Sequence, residues 1–431
     1  MSLRTTLCIV NFSGQAITNI QVTSESGFES GNEPSTFLKN GLANNSALCG
    51  YTEVDNSGPS PFTVEFTFAD GHNLIFTDDQ QNAINKHVCV IPHTGSAGNL
   101  QVWRSSGGDV GRSTHGTNGI YIRPTQAPDN SDWMKKLLSH KPDVRLNQLL
   151  MPGSHDAGMY VTHDYPLGGG GAWAKTQNLA MLQQLQAGAR YFDIRICTHN
   201  GVLTTYHGDT GYGAYGATLD EMLADVRSFL SSPSGSGEVV ILKFSHTYSN
   251  STAGTIAAVK DPTKTGDFLY IPDNPSITLS TVLLSKVQGR VLAVFGDEFT
   301  SDAENGIYPY HDVDKDASLP IPTHAGLTVY DNYSNDGNYE AMVNDQIPKL
   351  QTYGGWGNTF LFLLSWTLTG WSGIRDIEVL AGMANPWLPV ELSEIEQGKR
   401  KWPVIAYIDF LDPYLCSAII DANGRVLDRC G

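Results

Sequence analysis

Two histidines, an arginine and a series of carboxylates stand at or just beyond the ends of short apolar runs. His155 and Asp156 follow run 148–151, Asp193 and Arg195 lie in run 190–196, and His207 closes run 203–207. Lys243 with Ser245, Asp297 with Glu298, Asp331 with Tyr333, and finally Asp409 continue the series. A pair of imidazoles can take and return protons while a permanently charged guanidinium neutralises anionic oxygens, which together suit phosphoryl transfer. Each residue also has a plainer reading. A single histidine on a strand is ordinarily structural, and Asp409 could cap a helix ahead of Pro413. Arg195 could be a buried partner of Asp193, although spacing i, i+2 in a strand points both side chains to one face. His199 and His246 belong to no comparable pattern and read as structural.

Converging such residues requires a scaffold that brings many strand ends to one place. From residue 131 onward, apolar runs at 148–151, 190–196, 203–207, 239–244, 291–295, 326–330, 359–365 and 404–410 alternate with helical segments at 179–186, 218–230 and 339–350. Strand–helix alternation over about 300 residues predicts a (β/α)8 barrel of the TIM type, whose catalytic groups sit at the C-terminal ends of the strands. Segment 190–207 reads as two strands joined by a short turn, so the barrel is expected to be irregular. Residues 5–123 differ: short strands at 6–11, 17–23, 62–68, 73–77, 86–91 and 100–104 are separated by Gly, Asn, Ser and Asp. Alternation places Val64, Phe66 and Phe68 on one face. The fold class is therefore α/β, an irregular TIM-type barrel preceded by an all-β sandwich domain. Residues 1–125 form the sandwich, 131–431 the catalytic barrel, and 123–131 an exposed linker.

Composition narrows the partners. The 431 residues carry a net charge of −17, which argues against nucleic acid and against electrostatic adhesion to strongly anionic lipid. No apolar stretch is long enough to span a bilayer, so membrane contact is expected to be peripheral, and the first residues show no secretory signal. Nothing in the pattern asks for a second copy, and a monomer is expected. The six cysteines form no zinc-spaced cluster, and free buried thiols are expected over a Cys416–Cys430 pair. The four glycines 168–171 read as a flexible rim loop, since the context of a phosphate-binding loop is missing.

In order, the stretches Met151-Pro152-Gly153-Ser154-His155-Asp156-Ala157, Trp173-Ala174-Lys175-Thr176-Gln177 and Ala189-Arg190-Tyr191-Phe192-Asp193-Ile194-Arg195 are followed by Tyr206-His207-Gly208, Tyr330-Asp331-Asn332-Tyr333 and Ile408-Asp409-Phe410. Across about 280 residues this set resembles the X-type catalytic domain of phosphatidylinositol-specific phospholipases C, chiefly the bacterial kind. The resemblance implies cleavage of a phosphoinositol lipid at a membrane interface. In it His155 is the base, His207 the acid, Asp409 the partner of the base, and Asp156 an aid to acid and phosphate. It further implies substrate contacts from Asp193, Lys243, Asp331 and Tyr333. Calcium-dependent relatives need a carboxylate where this chain has Arg195, so no metal and no other cofactor is expected. The chain departs from the bacterial pattern at Ser245 and at Gly296, Asp297 and Glu298, where ring-contacting charged residues are usual. Two other functions remain as alternatives: a glycerophosphodiester phosphodiesterase, although the His-Arg-Gly and Glu-Asn-Thr motifs are absent, and a noncatalytic lipid- or glycan-binding protein. The sandwich is expected to bind a membrane or surface component.

Overall fold

A computed structural model describes residues 3–54, 60–80, 87–93, 99–104, 117–165, 171–209, 212–247, 251–296, 301–313, 321, 324–370 and 376–428. They fall into two compact units. The first comprises 1–128, 335–342 and 368–397; the second comprises 129–334, 343–367 and 398–431. The sequence reading placed one boundary near the linker. Segments 335–342 and 368–397, which follow barrel strands in the chain, instead join the first unit.

The first unit contains strands β1 (Leu3–Asn11), β2 (Ile17–Glu25), β3 (Ser46–Val54), β4 (Phe62–Phe68), β5 (Asn73–Gln80), β6 (His87–His93), β7 (Leu100–Arg104) and β8 (Thr117–Pro124). They form two sheets of order β3-β1-β8-β7 and β2-β4-β5-β6. Phe62, Val64, Phe66 and Phe68 are all at most 3% exposed, and they share a core with Leu7, Ile9, Ile120 and Ile122 of the other sheet. The period-2 pattern thus drives one face of β4 inward. β3 and β8 were missed from sequence, and β8 extends through Pro124, so the linker begins later than expected. Its far end is tied down, since Asn130 donates from its amide to the carbonyls of Ala187 and Pro413, 2.8 and 3.0 Å away. Antiparallel pairing of β1 with β3 sets Cys8 opposite Cys49, and the two form a disulfide. That corrects the expectation of free thiols for this pair; Cys197 and Cys416 are free and buried, and Cys430 lies outside the described residues.

The second unit is a closed parallel barrel of strands β9 (Met151–Ser154), β10 (Tyr191–Ile194), β14 (Val239–Phe244), β15 (Arg290–Phe295), β16 (Ile307–Asp312), β17 (Leu327–Tyr330), β18 (Leu361–Trp366) and β19 (Ile405–Ile408). Strands β14 and β18 are buried at every position, as parallel strands covered on both faces must be. One of the eight runs read as barrel strands needs correction. Run 203–207 belongs to a separate antiparallel sheet of β11 (Ile196–His199), β12 (Val202–Asp209) and β13 (Tyr212–Thr218), because its partners are hairpin neighbours and its pairing is antiparallel. Its place in the barrel is taken by β16, Ile307-Tyr308-Pro309-Tyr310-His311-Asp312, whose proline and polar end concealed it.

Beneath the mouth, Tyr191, Ile241, Leu292, Tyr308, Leu327, Leu361 and Ile405 pack in one buried cluster. Away from the mouth, Arg190 and Glu238 are fully buried and lie 2.7 Å apart. The Glu238 carboxylate also accepts from the backbone amides of Met134 and Lys135. Among the described residues no helix is long and apolar enough to cross a membrane.

Candidate active site

The ends of β9, β10 and β19 bring four charged side chains within hydrogen-bonding reach of one imidazole or its neighbours. His155 follows β9, and its Nδ1 lies 2.7 Å from Asp409 Oδ1, just past β19. On the other side of the ring, Nε2 is 3.1 Å from Arg195 Nη2 and 3.4 Å from Asp156 Oδ2. The helix Pro413–Leu427 is capped by another residue: Asp412 Oδ1 accepts from the amides of Tyr414 and Leu415 at 2.8 and 3.0 Å. The capping alternative for Asp409 is thereby excluded.

Arg195, two residues on from Asp193, is held by two carboxylates, with Nε 2.7 Å from Asp156 Oδ1 and Nη2 3.0 Å from Asp193 Oδ2. Asp193 in turn accepts from Tyr407 Oη at 2.7 Å and Ser245 Oγ at 2.9 Å. His207 comes from the antiparallel sheet, yet its Nδ1 lies 2.8 Å from Asp156 Oδ2, and the His155 and His207 ring centroids are 6.0 Å apart. The sheet is held against the loop after β9: Thr205 Oγ1 donates to the Gly158 carbonyl at 3.1 Å, and Ala217 N donates to it at 2.9 Å. Position 158 has no space for a side chain, since a Cβ there would collide with Thr205 Cγ2.

Three residues at the barrel mouth adopt left-handed backbone: Asp156 (φ 41°), His246 (φ 49°) and Phe410 (φ 47°). Each sits two positions beyond the end of a barrel strand. Strain of this kind collects where a fold must aim functional groups.

Electrostatics favour the charged forms of His155, Asp156 and Asp193. Burial alone would depress the His155 imidazole, but Asp409 and Asp156 outweigh it and hold the ring above the ordinary histidine range. Asp156 resists the upward push of burial because Arg195 and both histidines stabilise its anion. Asp193 lies well below the carboxylate range, burial being overcome by Lys243 and then Arg195. His246 moves the other way, lowered by burial and by Arg195.

Deeper in the lumen, Lys243 on β14 bridges Asp331 Oδ2 at 2.8 Å and Asp193 Oδ1 at 3.4 Å. Tyr333 stands 57% exposed beyond β17, apart from this cluster. Asp297, Glu298 and glycines 168–170 lie outside the described residues. Sequence reasoning missed Tyr310 and Tyr407, whose hydroxyls donate to Asp331 and Asp193, and Tyr191, whose hydroxyl donates to that of Tyr310. Their i, i+2 relations to Asp193, Asp312 and Asp409 were the available signal. One ligand atom each from His155, Asp156 and Asp193 lie within 4.8 Å of one another, a spacing that could hold a metal ion. The Arg195 guanidinium stands against both carboxylates of that set, and its fixed positive charge competes with a cation there.

No family model matches the chain. A mouse protein named PI-PLC X domain-containing protein 2 is 31% identical over 144 residues, which cover 28% of this chain and 40% of that protein. The chain thus spans less than half the length of this relative. The 1-phosphatidylinositol phosphodiesterase of Staphylococcus aureus strain Newman is 24% identical over 326 residues, 69% of this chain and 95% of that enzyme. By sequence the chain is similar to proteins named as phosphatidylinositol phospholipases C or phosphodiesterases. A solved Staphylococcus aureus phosphatidylinositol-specific phospholipase C superimposes with a TM-score of 0.50 at 21% identity, covering 68% of this chain and 98% of that one. That likeness shows the shared barrel fold.

Proposed function

We propose that the chain is a phosphatidylinositol-specific phospholipase C that works without a metal ion, with His155 as general base and His207 as general acid. The observation that carries this reading is the pair of imidazoles, His155 set against Asp409 and His207 against Asp156, with Arg195 beside His155 and Asp156. Asp409 accepts a hydrogen bond from Nδ1–H of His155, which puts the lone pair of the neutral ring on Nε2, the nitrogen beside Arg195. His155 then removes the proton of the inositol 2-hydroxyl as that oxygen attacks phosphorus. The bond from phosphorus to the glycerol oxygen breaks, and His207 protonates the departing oxygen. The products are diacylglycerol and inositol 1,2-cyclic phosphate. Arg195 neutralises the phosphoryl oxygens in the transition state. Asp156 holds both Arg195 and His207, so the charge clamp and the acid share one anchor. Asp193, Lys243, Asp331 and Tyr333 are the proposed contacts to the headgroup.

The triad of possible metal ligands, His155, Asp156 and Asp193, favours a second reading, a metal-dependent glycerophosphodiester phosphodiesterase. Arg195 weighs against it, because the guanidinium already occupies the carboxylates a metal would need.

The acid and base assignments are tested by substitution combined with leaving-group chemistry. His155→Ala and His207→Ala should each lower turnover by roughly 10² or more, as expected for loss of general acid–base catalysis. A substrate whose leaving group is an activated phenol needs no proton from the enzyme, so it should restore His207→Ala far more than His155→Ala. Equal restoration of the two variants would contradict the assigned roles.

A further inference from the structure

The lumen below Arg195 holds a hydrogen-bonded group that the proton transfers do not use. It begins with Lys243 and Asp331 and continues into two tyrosines. Tyr310, on the barrel strand that sequence reading overlooked, donates its hydroxyl to Asp331 Oδ2 at 2.7 Å. Behind it, Tyr191 donates to the Tyr310 hydroxyl at 3.2 Å. Tyr310 and Tyr191 are 3% and 0% exposed, and Lys243 Nζ lies 4.9 Å from the centre of the Tyr310 ring.

Both donors to the Asp331 carboxylate, Lys243 Nζ and Tyr310 Oη, converge on Oδ2. Oδ1 has no hydrogen-bonding partner among the described residues, and the Asp331 side chain keeps 15% of its surface open. A carboxylate fixed in this way offers one saturated oxygen and one acceptor. Its charge is balanced by Lys243, so it suits a neutral hydroxyl donor better than a second cation. Burial, followed by the nearby Asp331 charge, holds the Tyr310 hydroxyl well above the ordinary phenol range, so it remains a donor.

Resting on the phospholipase C reading, we propose that Tyr310 is a positioning residue for headgroup selection: it locks Asp331 with Oδ2 occupied so that Oδ1 accepts a hydroxyl of a neutral polyol ring. Tyr191 supports the same arrangement one hydrogen bond further back. The proton-transfer groups are not touched by either tyrosine. Loss of the Tyr310 hydroxyl therefore acts on ring binding and leaves the chemical step intact.

The test uses the full chain and two readouts. With soluble inositol 1,2-cyclic phosphate as substrate, Tyr310→Phe should raise KM about tenfold, the scale of one hydrogen bond to a charged group, while kcat stays within about twofold. Tyr191→Phe should shift KM in the same direction by less. Titration of myo-inositol followed by ligand-observed NMR should show the same tenfold weakening in Tyr310→Phe, without reference to turnover. An unchanged KM and unchanged inositol affinity would overturn the proposal. So would a fall in kcat as large as the fall in kcat/KM, which marks a general structural defect. If the wild type bound myo-inositol and cleaved no phosphoinositol lipid, the phospholipase C reading would fail while the affinity comparison still judged Tyr310. A wild type that did neither would overturn both.

Discussion

Asp193 shows how closely the residues of the mouth depend on one another. Its two oxygens face Arg195, Lys243, Ser245 and Tyr407, so the guanidinium and the lumen lysine share a single anion. His155, Asp156, Arg195, His207 and Asp409 were legible in the sequence because charged and imidazole groups at strand ends are conspicuous against an apolar barrel. Tyr191, Tyr310 and Tyr407 were not, because a phenol ring in a strand serves a core as well as a site, and only the placement of its hydroxyl separates the two. Asp409 provides a prediction at this scale. A base must be unprotonated in the free enzyme, so an imidazole held above its ordinary range moves the acid limb of kcat/KM to higher pH. Asp409→Asn removes the nearest stabilising charge. The limb should then shift to lower pH, while the plateau falls because the ring loses its anionic partner. A pH profile of kcat/KM for both proteins checks this, and a limb that stayed in place would separate His155 from the base role.

At the scale of elements, the alternation in β4 and the continuous burial of β14 and β18 followed from residue type alone. The antiparallel sheet did not. Run 203–207 has the composition of a barrel strand, and what excludes it from the barrel is its antiparallel pairing with β11, across the short turn at Asn200 and Gly201, and with β13. Strand β16 was obscured for the opposite reason, since Pro309 interrupts a run that otherwise pairs in register with β15 and β17. The disulfide was hidden for a related reason: Cys8 and Cys49 meet through the register of β1 with β3, and β3 was itself overlooked. The docking of the small sheet makes a specific prediction. Gly158→Ala introduces a methyl group that meets Thr205, so the strand carrying His207 must shift. A displacement near 1 Å at a catalytic group can cost about 10² in rate, and turnover should fall by about that factor while circular dichroism of the barrel is retained. Full activity in this variant would mean that the sheet tolerates movement and that His207 needs no such rigid support.

The molecule as a whole is less linear than its sequence. Segment 368–397 follows β18 and precedes β19, yet it belongs to the first unit, where Ile377, Leu380, Met383, Leu388, Leu392 and Ile395 are buried. Composition changes along the chain locate a domain boundary near residue 125 and carry no trace of this return, because an amphipathic helix covers a sheet of either unit by the same pattern. The net charge of −17 sets the Arg195 and Lys243 cations within a strongly acidic protein, which leaves acidic residues in plenty for a cation to find elsewhere. Metal dependence therefore has to be decided at the reaction itself. The most direct measurement is phosphorus NMR of the full chain acting on phosphatidylinositol in excess chelator. The account predicts a resonance of the five-membered cyclic inositol phosphate that grows before any acyclic inositol phosphate, with turnover unaffected by the chelator. A protein inactive until calcium is added, or one that forms the acyclic product with no cyclic intermediate, would contradict it.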